Sequence, residues 1–411
     1  MTTLIKNIVI ADALSPHNGR TADILIRNSR IEKIGRNLKD DSAKIIQGKS
    51  NYLSPGWVDT LADYREPGQE YKETILSGLN AAQAGGFADV NIVPNTNPAI
   101  TNASMLEFIQ KKAAGHSVKL HALGAVSRNI EGKDLAEMLD MHHAAAVAFS
   151  DGWKPLQNAQ LLLKALEYVK AFDGTIVQIP VYDSLTAEGL MNEGEMSVKL
   201  GMSGMPAMSE SLLVHRDLEL LRYTGSRIHF SGISTQASVN LIKAAKKEGL
   251  NVTCSVTPYH LLFNDSALSD YDSNYKVNPP LRSEKDRKAL LKALKDGVVD
   301  CIATHHRPQD WDAKTKEFEY AGWGVNVQET CWSMLIKAAP EIIPEQWAAL
   351  LSTNPRRIFN LTPVSIAEGQ PARLSIFNFD EKWLFDNKTK QSKGINNPWL
   401  GTELTGKAFS L

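Results

Sequence analysis

The chain has 411 residues, of which 43% are hydrophobic and 22% charged, and its formal net charge is -1. This balance is typical of a globular protein with a large core, and it gives no long-range field for nucleic acid or an anionic membrane. We therefore expect neither as a partner. No stretch reaches the roughly 18 apolar residues of a membrane span. Three cysteines without CxxC spacing fit a reducing cytoplasm, where we expect the protein to reside.

Short β-branched and apolar runs at both ends of the chain predict a small β-sandwich domain. The early runs are 4–11, 22–27, 30–34 and 44–47, and Asn28-Ser29 between the second and third is a hairpin signal. The late runs are 373–379, 383–386 and 407–410. Neither group can bury a core alone, so we expect residues 1–54 and 363–411 to assemble together.

Residues 55–362 alternate short apolar runs with helical stretches, which is the pattern of parallel βα units. Helical periodicity is clearest in 73–84, 157–171 and 235–247. The predicted strands are 57–61, 88–93, 118–126, 145–150, 175–181, 227–233, 251–257 and 299–304. The predicted fold class is therefore α/β, a (β/α)8 TIM barrel with the β-sandwich appended. Catalytic groups in such barrels lie at the C-terminal ends of the strands.

Five segments share one family's order and spacing: VDTLADYREPGQEYKET, GGFADVNIVPNTNPAI, VTPYHLL, YKVNPPLRSEKDR and SKGINNPWLG. The chain resembles type I dihydroorotases of the amidohydrolase superfamily over nearly its whole length. The YREPG, PNT and NPPLR elements separate it from hydantoinases and allantoinases. The resemblance implies the barrel, the β-sandwich and a zinc-dependent hydrolase of pyrimidine biosynthesis that opens a cyclic amide.

The resemblance also implies six metal-ligand positions at the strand ends. They are two histidines after the first strand, an acid or modified lysine after the fourth, one histidine each after the fifth and sixth, and the catalytic aspartate after the eighth. Here these six ligand positions hold Leu61, Asp63, Asp151, Pro180, Gly232 and His305. Five of the six are changed, and a catalytic zinc normally needs about three protein ligands. We therefore expect no metal, no cofactor and no catalytic residue, as in a pseudoenzyme.

A rearranged metal site is the alternative. Asp63, Asp151, Asp183, His305 and His306 could approach the mouth of the barrel, and such carboxylates and imidazoles are acceptable to a divalent metal. The rival interpretation is a set of polar residues lining a solvent-filled cavity. His229 and His260 are expected in structural hydrogen bonds instead.

Part of the substrate site is kept. The resemblance assigns Arg65 and Asn95 to the substrate carboxylate and Asn278 to the pyrimidine ring, while a substrate-contacting histidine of the family aligns with Gln309. A guanidinium beside an amide suits a carboxylate. Binding without turnover is therefore conceivable, and purely structural roles for these residues compete with it.

Three functions follow. The first is a catalytically silent scaffold for aspartate carbamoyltransferase, a role that the resemblance implies because some family members without metal ligands have it. The second is an active cyclic amidohydrolase with a rearranged metal site, and the third is a sensor of small carboxylates. Barrels of this family commonly pair, so a homodimer is the default expectation. The loop 307–324 could cover the mouth or present a surface to a partner.

Overall fold

The structure, a computed structural model, describes residues 2–411. It combines one large sheet, two short two-stranded sheets and a ring of parallel strands surrounded by helices. The strands are β1 Thr2–Ile10, β2 Thr21–Arg27, β3 Arg30–Gly35, β4 Lys44–Gln47, β5 Tyr52–Pro55, β6 Trp57–Ala62, β7 Phe87–Ile92, β8 Lys119–Ala122, β9 Ile176–Gln178, β10 Met191–Asn192, β11 Gly204–Met205, β12 Ile228–Phe230, β13 Val252–Val256, β14 Cys301–Ile302, β15 Leu374–Phe377, β16 Lys382–Phe385, β17 Thr402–Thr405 and β18 Ala408–Ser410.

The helices are distributed through the barrel region. They are α1 Ile75–Ala84, α2 Ala103–Ala113, α3 Met138–His143, α4 Ala159–Val169, α5 Glu195–Leu200, α6 Met208–Thr224, α7 Gln236–Lys247, α8 Pro258–Leu262, α9 Glu284–Lys295, α10 Trp311–Lys314, α11 Cys331–Ala338, α12 Pro344–Ala348 and α13 Asn354–Ile358. Within residues 2–411, none of them is both long enough and apolar enough to cross a membrane.

The large sheet joins the two ends of the chain. Its order is β18-β15-β5-β1-β2-β3, and β4 pairs in parallel with β1. The predicted hairpin at Asn28-Ser29 is present, and both residues have the positive φ of a tight turn, 50° and 59°. The predicted strand 383–386 is present as β16. It pairs with β17 in a separate hairpin outside the large sheet, and Trp383 Nε1 in this hairpin donates to the Gly406 carbonyl.

Parallel strands with intervening helices form the predicted barrel. Pairing runs β6-β7-β8 on one side and β9-β12-β13-β14 on the other. The fourth strand, predicted as 145–150, is reduced to Phe149, which bridges Gly124 and Ile176. The third strand is likewise shorter than predicted. A bridge between Ala62 and His306 brings the first strand beside the eighth.

The predicted helices are present with small shifts, because side-chain caps set their first turns. Thr74 caps α1 by accepting from Ser77 N, and Asn158 caps α4 by accepting from Gln160 N and Leu161 N. Helix α1 ends at Ala84, the end of the predicted stretch 73–84, and Gly85 is its C-cap. A Cβ at the next residue, Gly86, would lie 2.8 Å from the Trp57 ring, so only glycine fits there.

Residues 307–324, which we call the strap, are held down by two lysines. Lys276 Nζ donates to the carbonyls of Phe318 and Glu319 at 2.7 and 2.8 Å. Lys314 Nζ donates in the opposite direction, to the Ser273 carbonyl at 2.6 Å. The strap is therefore an anchored part of the fold.

Candidate active site at the mouth of the barrel

The first barrel strand brings two of the six ligand positions to the mouth. Leu61 is fully buried and belongs to the apolar cluster inside the barrel, with Val58 and Val93. Its carbonyl accepts a hydrogen bond of 3.0 Å from His305 N, which joins the ends of the first and eighth strands. Hydrocarbon therefore occupies a position where the family places an imidazole.

Asp63, the second position, is 1% exposed and already surrounded by donors. Its carboxylate accepts from Trp153 Nε1 at 2.8 Å and from Arg65 N at 3.1 Å. Oδ2 also lies 3.1 Å from Arg65 Nη1 and 4.0 Å from Arg307 Nε. Two guanidinium groups thus lie beside this one carboxylate, and a metal cation would have to compete with both.

Asp151, the one retained acid, serves the turn after the third strand. One carboxylate oxygen accepts from Val126 N and Ser127 N, both at 2.9 Å, and the other accepts from Ser127 Oγ. Burial raises the pKa of Asp151, and these hydrogen bonds oppose that rise. Both oxygens of the Asp151 carboxylate are therefore already hydrogen-bonded within the protein.

The fifth and sixth strands supply no ligand. Pro180 is buried and has no donor atom in its side chain. Gly232 has a φ of 72°, and a Cβ there would lie 2.8 Å from His305 Nε2 and closer still to Cε1. The imidazole of His305 therefore fills the volume that a ligand side chain at position 232 would need.

His305, at the eighth strand, is a buried neutral imidazole. Its Nε2 lies 2.9 Å from Ser231 Oγ, and its ring meets the Trp153 ring edge-on at 5.4 Å between centroids. Burial lowers the pKa of His305 to about 3, and the positive charges of neighbouring groups, including Arg307, add to the effect. The ring is thus a hydrogen-bonding and packing group at neutral pH.

His229 and His260 lie in structural hydrogen bonds. His229 Nδ1 is 2.9 Å from Thr253 Oγ1 and its Nε2 is 3.3 Å from Ser255 Oγ. His260 Nε2 donates to the Pro279 carbonyl at 3.1 Å. Burial lowers the pKa of His229 to about 3 and that of His260 to about 4.

His306 is engaged in a separate buried pair. Its Nδ1 accepts from Val327 N and Gln328 N at 3.2 and 3.3 Å, so the proton resides on Nε2. That nitrogen faces Glu73 Oε2 at 3.6 Å, in a fully buried pair. Asp183 is exposed on a short turn after the fifth strand.

The residues at the mouth do not fit a catalytic zinc. Across residues 2–411, no three His, Cys, Asp or Glu side chains are grouped so that they could hold a metal ion. Of the six ligand positions, three have no ligating atom, Asp63 is paired with arginines, Asp151 is bound to backbone and His305 is paired with Ser231. The donor set is too small for the roughly three ligands that such a site requires.

Comparisons with known proteins identify the family. A family model for dihydro-orotase-like proteins matches residues 50–238. A protein named dihydroorotase from Syntrophus aciditrophicus is 36% identical over 414 residues, covering 100% of this chain and 97% of the relative. Another from Ruminiclostridium cellulolyticum is 36% identical over 412 residues, covering 99% and 96%. The chain belongs to the dihydroorotase family.

Solved structures agree with this assignment at the level of the fold. A D-hydantoinase superposes with a TM-score of 0.84 at 23% identity, covering 100% of this chain and 94% of the other. The L-hydantoinase of Arthrobacter aurescens gives 0.85 at 22% identity, covering 99% and 94%. The dihydroorotase family fold, a TIM barrel with a β-rich domain, is therefore present over the full length.

The substrate-binding positions of the dihydroorotase family are only partly available. Arg65 donates from Nε to the Pro308 carbonyl, and among residues 2–411 its buried Nη2 has no hydrogen-bond partner. Asn95 is engaged at both ends, since Nδ2 donates to the Asp151 carbonyl and Oδ1 accepts from Trp153 N. Asn278 Oδ1 is buried and unpartnered within the same described range.

Two residues at the mouth were missed by sequence reasoning. Trp153 and Arg307 are not ligand positions, yet Trp153 reaches Asp63 and the Arg307 guanidinium lies 4.5 Å from the centre of the Trp153 ring. The available signal was two large side chains that follow ligand positions, in AFSDGW and THHRP. Their contact across the mouth required the three-dimensional structure.

Proposed function

We propose that this protein is a non-catalytic member of the dihydroorotase family that serves pyrimidine biosynthesis in the cytoplasm as a structural partner of aspartate carbamoyltransferase. The observation that carries the proposal is the donor set at the mouth. Leu61, Pro180 and Gly232 offer no ligand atom, and the side chains of Asp63, Asp151 and His305 are held by other protein groups.

The chemistry explains why this loss matters. Opening a cyclic amide at neutral pH needs a hydroxide, and a bound zinc lowers the pKa of water from 15.7 to about 7. Losing that ion raises the cost of deprotonation by roughly 12 kcal/mol. A neutral imidazole such as His305, whose pKa is about 3, is too weak a base to compensate.

Metal content and turnover test the loss of catalysis. After zinc loading and gel filtration, we expect less than about a tenth of an equivalent of bound zinc and no hydrolysis of dihydroorotate. The relative from Syntrophus aciditrophicus, handled identically, is the matched control. One tightly bound equivalent of zinc together with turnover would contradict the proposal.

The partnership has a separate support and a separate test. It rests on the family resemblance, in which members without metal ligands hold aspartate carbamoyltransferase, and on the kept framework motifs of this chain. We expect co-elution with the carbamoyltransferase of the same source at micromolar concentration. Separate elution would remove the partnership while leaving the loss of catalysis intact.

An active cyclic amidohydrolase is the second candidate, and the relatives favour it. Proteins named dihydroorotase match the full length of this chain at 34–36% identity. This function would need a rearranged site in which Asp63 leaves its arginines or Asp151 leaves the backbone. The zinc and turnover measurements above decide between the two candidates.

A small-carboxylate sensor is the third candidate. Its support is the unpartnered Nη2 of Arg65 and Oδ1 of Asn278 within residues 2–411, whereas the engaged amide of Asn95 weakens it. Calorimetry with dihydroorotate and carbamoyl-aspartate tests this function. Binding heat that disappears in Arg65→Ala would support it, and absence of heat in the unaltered protein would exclude it.

A further inference from the structure

The strand ends that would share a metal are joined directly by side chains. Asp63 follows the first barrel strand, Trp153 the fourth, Ser231 the sixth and His305 the eighth. The Trp153 indole donates to Asp63 across the mouth at 2.8 Å, and its ring packs against His305. His305 in turn reaches Ser231 at 2.9 Å.

Two arginines complete the arrangement. Arg65 forms an ion pair with Asp63 at 3.1 Å and donates to the Pro308 carbonyl at 3.3 Å, which ties the first loop to the eighth. Arg307 lies on the face of Trp153, with its guanidinium carbon 4.5 Å from the ring centre. We call Asp63, Arg65, Trp153, His305 and Arg307 the mouth network.

We propose that the mouth network is a metal-free cross-link that has replaced the metal as the connection between the strand ends. This inference rests on the proposed absence of a metal. In a metal site, one ion neutralises the carboxylate and holds several strands together. Here the ion pair with Arg65 neutralises Asp63, Arg307 lies 4.0 Å from the same carboxylate, and Trp153 with His305 spans the opening.

The mouth network leaves no space for a side chain at position 232 or position 152. A Cβ on Gly232 would lie 2.8 Å from His305 Nε2, and a Cβ on Gly152 would lie 2.9 Å from Asn95 Cγ. Asn95 positions Trp153 by accepting from its backbone N–H at 3.0 Å. The network therefore requires glycine at both positions, and a ligand side chain at Gly232 and the present His305 exclude each other.

The steric conflict between a side chain at position 232 and His305 is measured with Gly232→Ala, made both in the unaltered protein and in the His305→Ala variant. We expect Gly232→Ala to lower the thermal unfolding midpoint by several degrees, and by less than half as much when His305 is already alanine. Gly201→Ala is the matched control, since Gly201 has a φ of 66° and a Cβ there would meet nothing within 4 Å, so it reports backbone strain alone. Equal shifts in both backgrounds would overturn the proposal.

The cross-link itself is measured with Trp153→Phe and Asp63→Asn. Trp153→Phe keeps a ring and removes the hydrogen-bond donor. We expect it to lower the thermal unfolding midpoint more when position 63 holds aspartate than in the Asp63→Asn variant. Trp383→Phe is the control. It also removes an indole hydrogen bond, of 2.9 Å, but that bond goes to the Gly406 carbonyl in the C-terminal hairpin and does not involve Asp63. Purely additive shifts would overturn the proposal.

Chelation separates this inference from the proposed function. Dialysis against a strong chelator is expected to move the unfolding midpoint by less than about 1 °C, because no metal contributes to the folded state. A fall of several degrees, reversed by zinc, would overturn both proposals. Additive variants with an unchanged midpoint on chelation would overturn the cross-link alone.

Discussion

At the scale of single residues, burial makes three histidines much weaker bases than a histidine in water. His229, His260 and His305 have pKa values near 3, 4 and 3, because burial disfavours their charged forms. In the unfolded chain each takes up a proton near pH 6.5. The unfolded state therefore binds more protons as the pH falls below 6.5, and acid destabilises the fold.

We predict that these three histidines together contribute up to about 4 kcal/mol per pH unit to the fall in the free energy of unfolding below pH 6.5, about 1.4 for each histidine. Urea unfolding between pH 7.5 and 5 measures the slope. His305→Asn should reduce the slope by about 1.4 kcal/mol per pH unit. His143→Asn, at an exposed position, is the control substitution; an unchanged slope in His305→Asn would contradict the assignment.

A second prediction concerns a buried acid at the other end of the barrel. Asp89 forms ion pairs with Arg356 at 2.5 Å and with Arg373 at 2.9 Å, and its carboxylate is hydrogen-bonded to His121 Nε2 at 2.9 Å. Burial alone would raise the pKa of Asp89, but these partners outweigh it and hold the pKa well below its usual range. Asp89→Asn leaves two arginines without their counter-charge, and we expect a loss of about 3 to 5 kcal/mol in urea unfolding.

The control for Asp89 is an ion pair of similar geometry at the surface. Asp173 pairs with Arg227 at 2.8 Å, but its side chain is 73% exposed. Water screens such a pair, so Asp173→Asn is expected to cost less than about 1 kcal/mol. Similar losses in both variants would show that burial does not decide the energetics at Asp89.

At the scale of elements, the strap depends on two buried amines. Lys276 and Lys314 donate only to backbone carbonyls, and burial lowers their pKa values to about 8 and about 7. We predict that Lys276→Met speeds backbone hydrogen exchange in residues 311–324 by roughly ten-fold. Lys316→Met, exposed in the same segment, should have no such effect. Unchanged exchange in Lys276→Met would mean that the strap is held by packing alone.

The helices and strands also show how far sequence reasoning reaches. Strand β13 and helix α7 were predicted within one or two residues, because periodicity and capping residues are local signals. The fourth strand was overestimated, because 145–150 has a strand-like composition but only Phe149 meets its neighbours in bridging geometry. The absence of ligating side-chain atoms at positions 61, 180 and 232 could be predicted from the sequence, because leucine, proline and glycine side chains cannot bind a metal. The pairing of Trp153 with Asp63, 90 positions apart, has no local signal.

At the scale of the whole molecule, an aromatic cluster joins the barrel to the large sheet. Trp57 from the first barrel strand, Trp332 from α11 and Phe377 from β15 have ring centroids 5.0 to 5.4 Å apart. We therefore predict one cooperative unfolding transition in calorimetry. Trp332→Ala should lower the free energy of unfolding by about 3 to 5 kcal/mol.

Trp311→Ala is the control for that loss, because Trp311 is 65% exposed on the strap. We expect a change of no more than about 0.5 kcal/mol there. Two separate transitions in the unaltered protein, only one of which responds to Trp332→Ala, would show that the sheet and the barrel unfold independently.

The mutual exclusion of a side chain at Gly232 and the ring of His305 limits how a metal site could be built at this mouth. A histidine placed at position 232 alone would collide with His305, and an aspartate placed at position 305 alone would have no ligand at position 232 beside it. On the proposed function, a metal site at this mouth would therefore require at least two coordinated substitutions, and no single change at either position is expected to create one.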